Sequence, residues 1–277
     1  MVTTRLRKYG EKLSPQERQQ LIYKVTLFQN SLLGRLADIP CALLFGGNLK
    51  MLASIYLSDK WNSHWYAQHY QALFRSIRHK RLSILEIGVG GYRDPRDGGS
   101  SLRMWRTYFP WGRVYGIDIY DKSPHDRRRI KTFQGSQTDP VFLDLVVREI
   151  GKISIIIDDG SHENEHVLFT FQHLFPHLAD GGIYAIEDTQ TSYWPKYGGN
   201  SKDRNDPHTS MGFFKSLVDG VNWEEFPGTY SPTYYDLNIK SIAFYHNLIV
   251  ITKGSNQERR GKPQPQAVEI GEESTAK

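Results

Sequence analysis

The chain has 277 residues, of which 39% are hydrophobic, 23% charged and 13% aromatic, with one cysteine, Cys41. This length suits one domain with an appendage, and a lone cysteine excludes both an intramolecular disulfide framework and a cysteine zinc site. Lys and Arg total 35 against 30 Asp and Glu, a formal charge of +5. The signs are mixed along the chain instead of gathered in a stripe, which argues against a nucleic-acid partner.

The first third reads as helix. Ser14, Pro15 and Glu17 form a cap, a first-turn proline and a capping-box acid. Leu21, Val25, Phe28, Leu32 and Leu36 then recur at helical spacing, and Pro40 with Gly46-Gly47 is expected to end the element. Lys24, Gln29, Arg35 and Asp38 interrupt its apolar run, so no membrane span is expected. The basic opening MVTTRLRKYGEKL leads into no apolar core, so no signal peptide is expected and the reading is a cytoplasmic protein. The apolar helix offers a surface for a homo-oligomer. Next, Trp61, His64, Trp65, Tyr66, His69 and Tyr70 read as a helix that packs aromatics onto the main domain.

From residue 82 short apolar runs alternate with amphipathic ones. Leu82–Ile87, Val114–Ile117, Ile130–Phe133, Ile153–Ile157 and Ile183–Ile186 are continuous in hydrophobicity, hence buried on both faces as a parallel sheet flanked by helices. The helices are Ser101–Tyr108, Pro140–Ile150 and Glu163–Leu178, with a shorter one over Met211–Val218. Ser241–Phe244 and Leu248–Thr252, separated by three residues, suit an antiparallel hairpin at the sheet edge. The expected fold is α/β: a doubly wound, mostly parallel seven-stranded sheet with an antiparallel C-terminal hairpin. The expected division is a helical extension over 1–80, this domain over 81–253 and a disordered tail over 254–277.

In such sheets ligands bind at the carboxyl ends of the strands. The first strand runs into Glu86-Ile87-Gly88-Val89-Gly90-Gly91, a glycine turn that lets a ligand approach the backbone. The full GxGxxG fingerprint of a nicotinamide-dependent dehydrogenase is absent. An acid at Glu86 suits a cationic or zwitterionic ligand such as S-adenosylmethionine better than a pyrophosphate. Asp118, ending the second strand, suits ribose hydroxyls, and Gln134-Gly135-Ser136-Gln137 suits either an adenine edge or a turn.

The fourth strand ends in Asp158-Asp159, with His162 three residues on, and the fifth in Glu187-Asp188. Asp159 alone reads equally as a helix start and Asp188 as a cap. Together Asp159, Glu187 and Asp188 would repel one another unless a cation compensates them, and oxygen-only ligands suit Mg²⁺. Asp158 would point the opposite way, toward the cofactor. His162 beside a metal reads as a general base. His166, His173 and His177 read as packing or surface residues, and Arg127-Arg128-Arg129 as a solvated loop.

The blocks LEIGVGGYRDPRDGGSSLRMW, GIDIYDKSPH, FQGSQ, IIIDDGSHENEH and IEDTQTSYW, within residues 58–253, resemble the metal-dependent sugar O-methyltransferases of the class I, Rossmann-like S-adenosylmethionine family. The resemblance implies Mg²⁺ (or Mn²⁺) on Asp159, Glu187 and Asp188, and His162 as general base. It implies a cofactor held by Glu86, Gly88, Tyr92, Asp118, Gln134, Ser136 and Asp158. The acceptor it implies is a sugar hydroxyl of a glycoside or polysaccharide. Alternatives are a catechol-type enzyme acting on an aromatic diol and a noncatalytic glycan-binding protein.

Overall fold

The computed structural model describes residues 14–258. The opening basic segment and the tail beyond 258 therefore lie outside the described residues. Ser14 caps helix α1 (Pro15–Asn30) through the expected capping box with Glu17. The helix ends earlier than its apolar spacing suggests. The Ser31 hydroxyl donates to the Phe28 carbonyl and accepts from the Gly34 amide, closing α1 and opening α2 (Leu32–Phe45). Pro40 lies inside α2, which ends at Gly46. Proline removes one N–H bond and crowds the preceding turn, which strains a helix without ending it.

Helices α3 (Leu49–Tyr56) and α4 (Tyr66–Phe74) lead to the sheet. Its first half runs β1 (Ser83–Ile87), α5 (Ser100–Tyr108), β2 (Arg113–Asp118), β3 (Ile130–Gln134), α6 (Pro140–Ile150) and β4 (Ile153–Asp158), with only a short 3-10 turn, Ser123–His125, between β2 and β3. Helix α7 (Asn164–Leu174) and β5 (Leu178–Glu187) follow, then α8 (Ser210–Ser216), α9 (Tyr234–Asn238), β6 (Ile239–Tyr245) and β7 (Leu248–Lys253). Strand β5 starts before the expected Ile183 because Leu178 already pairs with Ile153. Gly181, in left-handed backbone, absorbs the register shift that follows.

The seven strands take the order β3-β2-β1-β4-β5-β7-β6, the first five parallel and β7 antiparallel to both its neighbours. Sequence order reverses between β1 and β4, so the crevice lies at the carboxyl ends of those two strands. Alternate strand residues feed two cores. Ile84, Val114, Ile155 and Ile157 pack with Trp105 and with the buried residues of α3 and α4, including Leu52, Tyr70 and Phe74. Leu85, Ile117 and Ile156 face α6 and α7 on the other side. By contrast, Leu33, Ile39, Leu43 and Leu44 of α2 stay exposed. No helix among the described residues is long and apolar enough to cross a membrane.

Candidate functional site

A cavity of about 600 Å³ opens at the crevice, in the range of small-molecule sites. One half is built from the loops after β1, β2 and β3: Gly88, Gly90, Gly91, Tyr92, Asp118, Ser136 and Gln137 line it. Gly88 has φ +88, and a Cβ there would lie 2.0 Å from the Asp159 carbonyl oxygen, so only glycine fits. Asp118 accepts from the Val89 and Tyr120 amides at 3.0 and 2.9 Å, bracing the first turn against the second. The buried Lys122 ammonium donates to the carbonyls of Tyr92, Asp94 and Asp97. His125 packs under Gly99 and against the Asp97 carbonyl, where burial and the neighbouring Arg103 guanidinium depress its pKa to about 4.

The other half is acidic. Asp159, His162 and Asp188 bring one ligand atom each within 4.8 Å of one another. The His162 Nε2 stands 3.6 Å from Asp188 Oδ2 and 4.0 Å from Asp159 Oδ1. His162 and Asp188 both hold left-handed backbone, with φ of 58 and 53, a strained conformation for non-glycine residues that concentrates at functional sites. Glu187 is fully buried beside them. Its two oxygens accept from the Tyr70 hydroxyl at 2.7 Å and the Lys60 ammonium at 2.8 Å. Lys60 also donates to Asp159 Oδ2 at 2.8 Å and lies 3.3 Å from Glu86. The Tyr66 hydroxyl donates to Asp188 Oδ1 at 2.7 Å.

Burial alone would discharge Lys60, but the facing Asp159, Glu187 and Glu86 carboxylates outweigh it and hold the ammonium protonated. One ammonium does not neutralise three buried acids. Burial, followed by the charge of Asp159, pushes Glu187 well above the usual carboxylate range, and burial raises Glu86 to about 7. Burial also opposes ionisation of Asp188, yet the Tyr66 hydroxyl and the His162 and His64 imidazoles keep its carboxyl low. The excess of acids over cations, the oxygen donors and the open side toward the cavity fit a hard divalent cation, which would favour the ionised carboxylates that burial opposes. A carboxylate oxygen has two lone pairs, so the bonds to Tyr70 and Lys60 hold Glu187 without exhausting it.

Of the expected residues, Gly88, Tyr92, Asp118, Ser136, Asp159, His162 and Asp188 share the cavity wall. Glu86, Gln134, Asp158 and the expected metal ligand Glu187 do not line it, and Glu187 stands outside the converging set of Asp159, His162 and Asp188 because its oxygens turn inward to Lys60 and Tyr70. Glu86 accepts from Ser101 and faces Lys60, one layer beneath; the Gln134 amide turns to the Ile119 carbonyl. Asp158 is buried beside Gln137, its carboxyl raised by that burial to about 7, and its Oδ2 has no hydrogen-bond partner. His166, expected to be packing or surface, lines the cavity and shares a hydrogen bond with Ser161. Sequence reasoning missed Lys60, Tyr66 and Tyr70 as partners of the acids, and Lys122 as the brace of the first loop. An isolated lysine or tyrosine carries no spacing that marks it.

Strand order, glycine turn, ribose-type acid after β2 and a cavity across the switch point together define a Rossmann-like methyltransferase fold. Within that class the chain's homologues at 41–47% identity are sugar O-methyltransferases. Mycinamicin VI 2''-O-methyltransferase of Micromonospora griseorubida is 47% identical over 214 residues, covering 76% of this chain and 54% of the relative. Demethylmacrocin O-methyltransferase of Streptomyces fradiae gives the same identity and coverage. The 8-demethyl-8-alpha-L-rhamnosyl tetracenomycin-C 2'-O-methyltransferase of Streptomyces olivaceus is 45% identical, covering 76% and 56%. The chain thus spans about half the length of the curated relatives it matches. Among solved structures, MycE methyltransferase of the mycinamycin biosynthetic pathway, in complex with Mg and SAH, superposes with a TM-score of 0.74 at 47% identity. That match covers 76% of this chain and 54% of MycE. No family model matches the chain.

Proposed function

We propose that the protein is a Mg²⁺-dependent O-methyltransferase that transfers the methyl group of S-adenosylmethionine to a sugar hydroxyl of a glycoside. The observation that carries this reading is the convergence of Asp159, His162 and Asp188 on one side of the glycine-lined cavity. When bound, S-adenosylmethionine supplies the methyl group and Mg²⁺ the Lewis acidity that makes a hydroxyl easier to deprotonate. Asp159 and Asp188 would hold the cation at the cavity wall, with Glu187 adding its carboxylate from the buried layer behind them. His162 takes the acceptor proton at Nε2, which faces the cavity between the two aspartates. Asp118 binds the ribose hydroxyls and Ser136 the adenine side, while Gly88 keeps the backbone open to the amino-acid end. Tyr92, on the exposed rim of the cavity, contacts the cofactor. Glu86, Gln134 and Asp158 act from behind the wall, Glu86 and Asp158 as buried acids behind the cofactor's cationic end. Exposed Leu33, Ile39, Leu43 and Leu44 on α2 suit self-association into a homo-oligomer, read out by light scattering of the full chain.

The test incubates the protein with methyl-labelled S-adenosylmethionine and a panel of glycosides and catechols, with and without Mg²⁺. A mass gain of one methyl group on a glycoside, abolished by chelation, is the expected result. Turnover of catechols alone replaces the sugar reading with the aromatic-diol one. Tight binding of glycosides with no transfer to any acceptor leaves a glycan-binding protein.

A further inference from the structure

Each acid of the proposed metal set is gripped by a side chain from one short stretch of the N-terminal region, far away in sequence. Lys60 holds Asp159 and Glu187, Tyr70 holds Glu187 and Tyr66 holds Asp188. The stretch is built for delivery. Leu57 and Asn62 take left-handed backbone around Lys60, the Asp59 carbonyl accepts from the His64 amide, and the Lys60 carbonyl accepts from the Ala67 amide at the start of α4. Lys60 is 0% exposed. A buried ammonium among carboxylates is costly in desolvation, and apolar replacements of such groups are often as stable or more so. Packing therefore gives no reason for it. Tyr66 and Tyr70 likewise bury their rings in the core yet aim their hydroxyls at acids.

We propose that Lys60, Tyr66 and Tyr70 are positioning residues that preset Asp159, Glu187 and Asp188 for a divalent cation, which makes the stretch from 60 to 70 part of the metal site. The proposal rests on the metal-dependent reading above. Groups that hydrogen-bond a metal ligand fix its orientation, and their removal costs about 10–100-fold in metal affinity. Each tyrosine hydroxyl fixes a rotamer at the β5 end. Lys60 fixes the inner oxygen of Asp159, Oδ2, leaving Oδ1 on the side of His162.

The experiment titrates Mg²⁺ by calorimetry, and Mn²⁺ by electron paramagnetic resonance, into the full chain and its variants. Y66F and Y70F delete one hydroxyl each and keep the ring. Both are expected to weaken binding roughly 10-fold or more and to broaden the bound Mn²⁺ spectrum. Y56F, which loses a buried hydroxyl bonded to Asp38 and Thr107 instead, keeps wild-type affinity. K60M leaves acids without their cation and can fail to fold, so the K60M/E86Q pair, which removes one charge of each sign, is titrated beside it and is expected to weaken binding similarly. Unchanged or tighter affinity in Y66F, Y70F and K60M/E86Q overturns the proposal, as does an equal loss in Y56F. A wild-type chain that binds neither metal overturns the metal-dependent reading itself, which separates the two failures.

Discussion

The two halves of the cavity are built in opposite ways. The glycine half comes from loops that follow successive strands, and its key bonds are local in the fold: Asp118 braces the turn after β1 only 29 residues earlier. The acidic half takes its acids from the ends of β4 and β5 but its hydrogen-bond donors from α4 and the turn before it, across separations of 99 to 127 residues. A cofactor cradle assembled from one βα alternation is set by the sheet. The proposed metal site, held from a distant segment, depends on that segment docking, so the same cavity combines a part that folds with the sheet and a part that needs long-range packing.

Four variants break or sharpen that contrast, taken from the largest effect downward. His162→Ala removes the proposed base from the acidic half and is expected to lower methyl transfer by about 10²–10⁴-fold while leaving cofactor affinity intact; a radiolabel assay with parallel calorimetry reads both. Asp118→Asn acts on the other half. It is expected to weaken S-adenosylmethionine binding by roughly 10–100-fold, the worth of a charge-assisted hydrogen bond, with Mg²⁺ affinity unchanged. Gly88→Ala strikes the point where the halves touch. With a Cβ driven into the Asp159 carbonyl, a loss of about 1–3 kcal/mol in thermal stability is expected, and both ligands weaken together.

The smallest effect is a pH response confined to the glycine half. His125 is neutral in the folded protein, its pKa depressed to about 4 from 6.5, chiefly by burial and then by Arg103. The unfolded chain takes up that proton first, so this contribution to stability is complete above pH 6.5 and is lost as the pH falls toward 4. His125→Gln is expected to flatten the fall of the unfolding midpoint across that window, as urea titrations at several pH values would show.

The sheet was legible because fully buried strands must be continuous in hydrophobicity, and β1 to β4 lie within a residue of the expected runs. The acids at strand ends stood out for a related reason: carboxylates such as Asp159 and Glu187 next to buried isoleucines are too costly to be incidental. What could not be read is what compensates them. Lys60 belongs to no motif, and its meaning appears only when α3 and α4 fold against α5 and carry it under the sheet edge. The break at Ser31 was missed differently, because helical periodicity runs through it while the serine's cap bonds, visible only in three dimensions, divide the helix.

The hairpin between β6 and β7 has a consequence for the order in which the molecule matures. Its turn carbonyl at Asn247 accepts from the Thr189 amide, directly beside Asp188, and β7 fills the sheet next to the strand that carries Glu187. During synthesis Lys60 and the tyrosines leave the ribosome about a hundred residues before the acids, and the buttress behind the acids arrives later still. The cofactor cradle is complete once β4 has paired, whereas the acidic pocket is expected to close only when the hairpin joins, so that nascent chains gain cofactor affinity before they gain metal affinity.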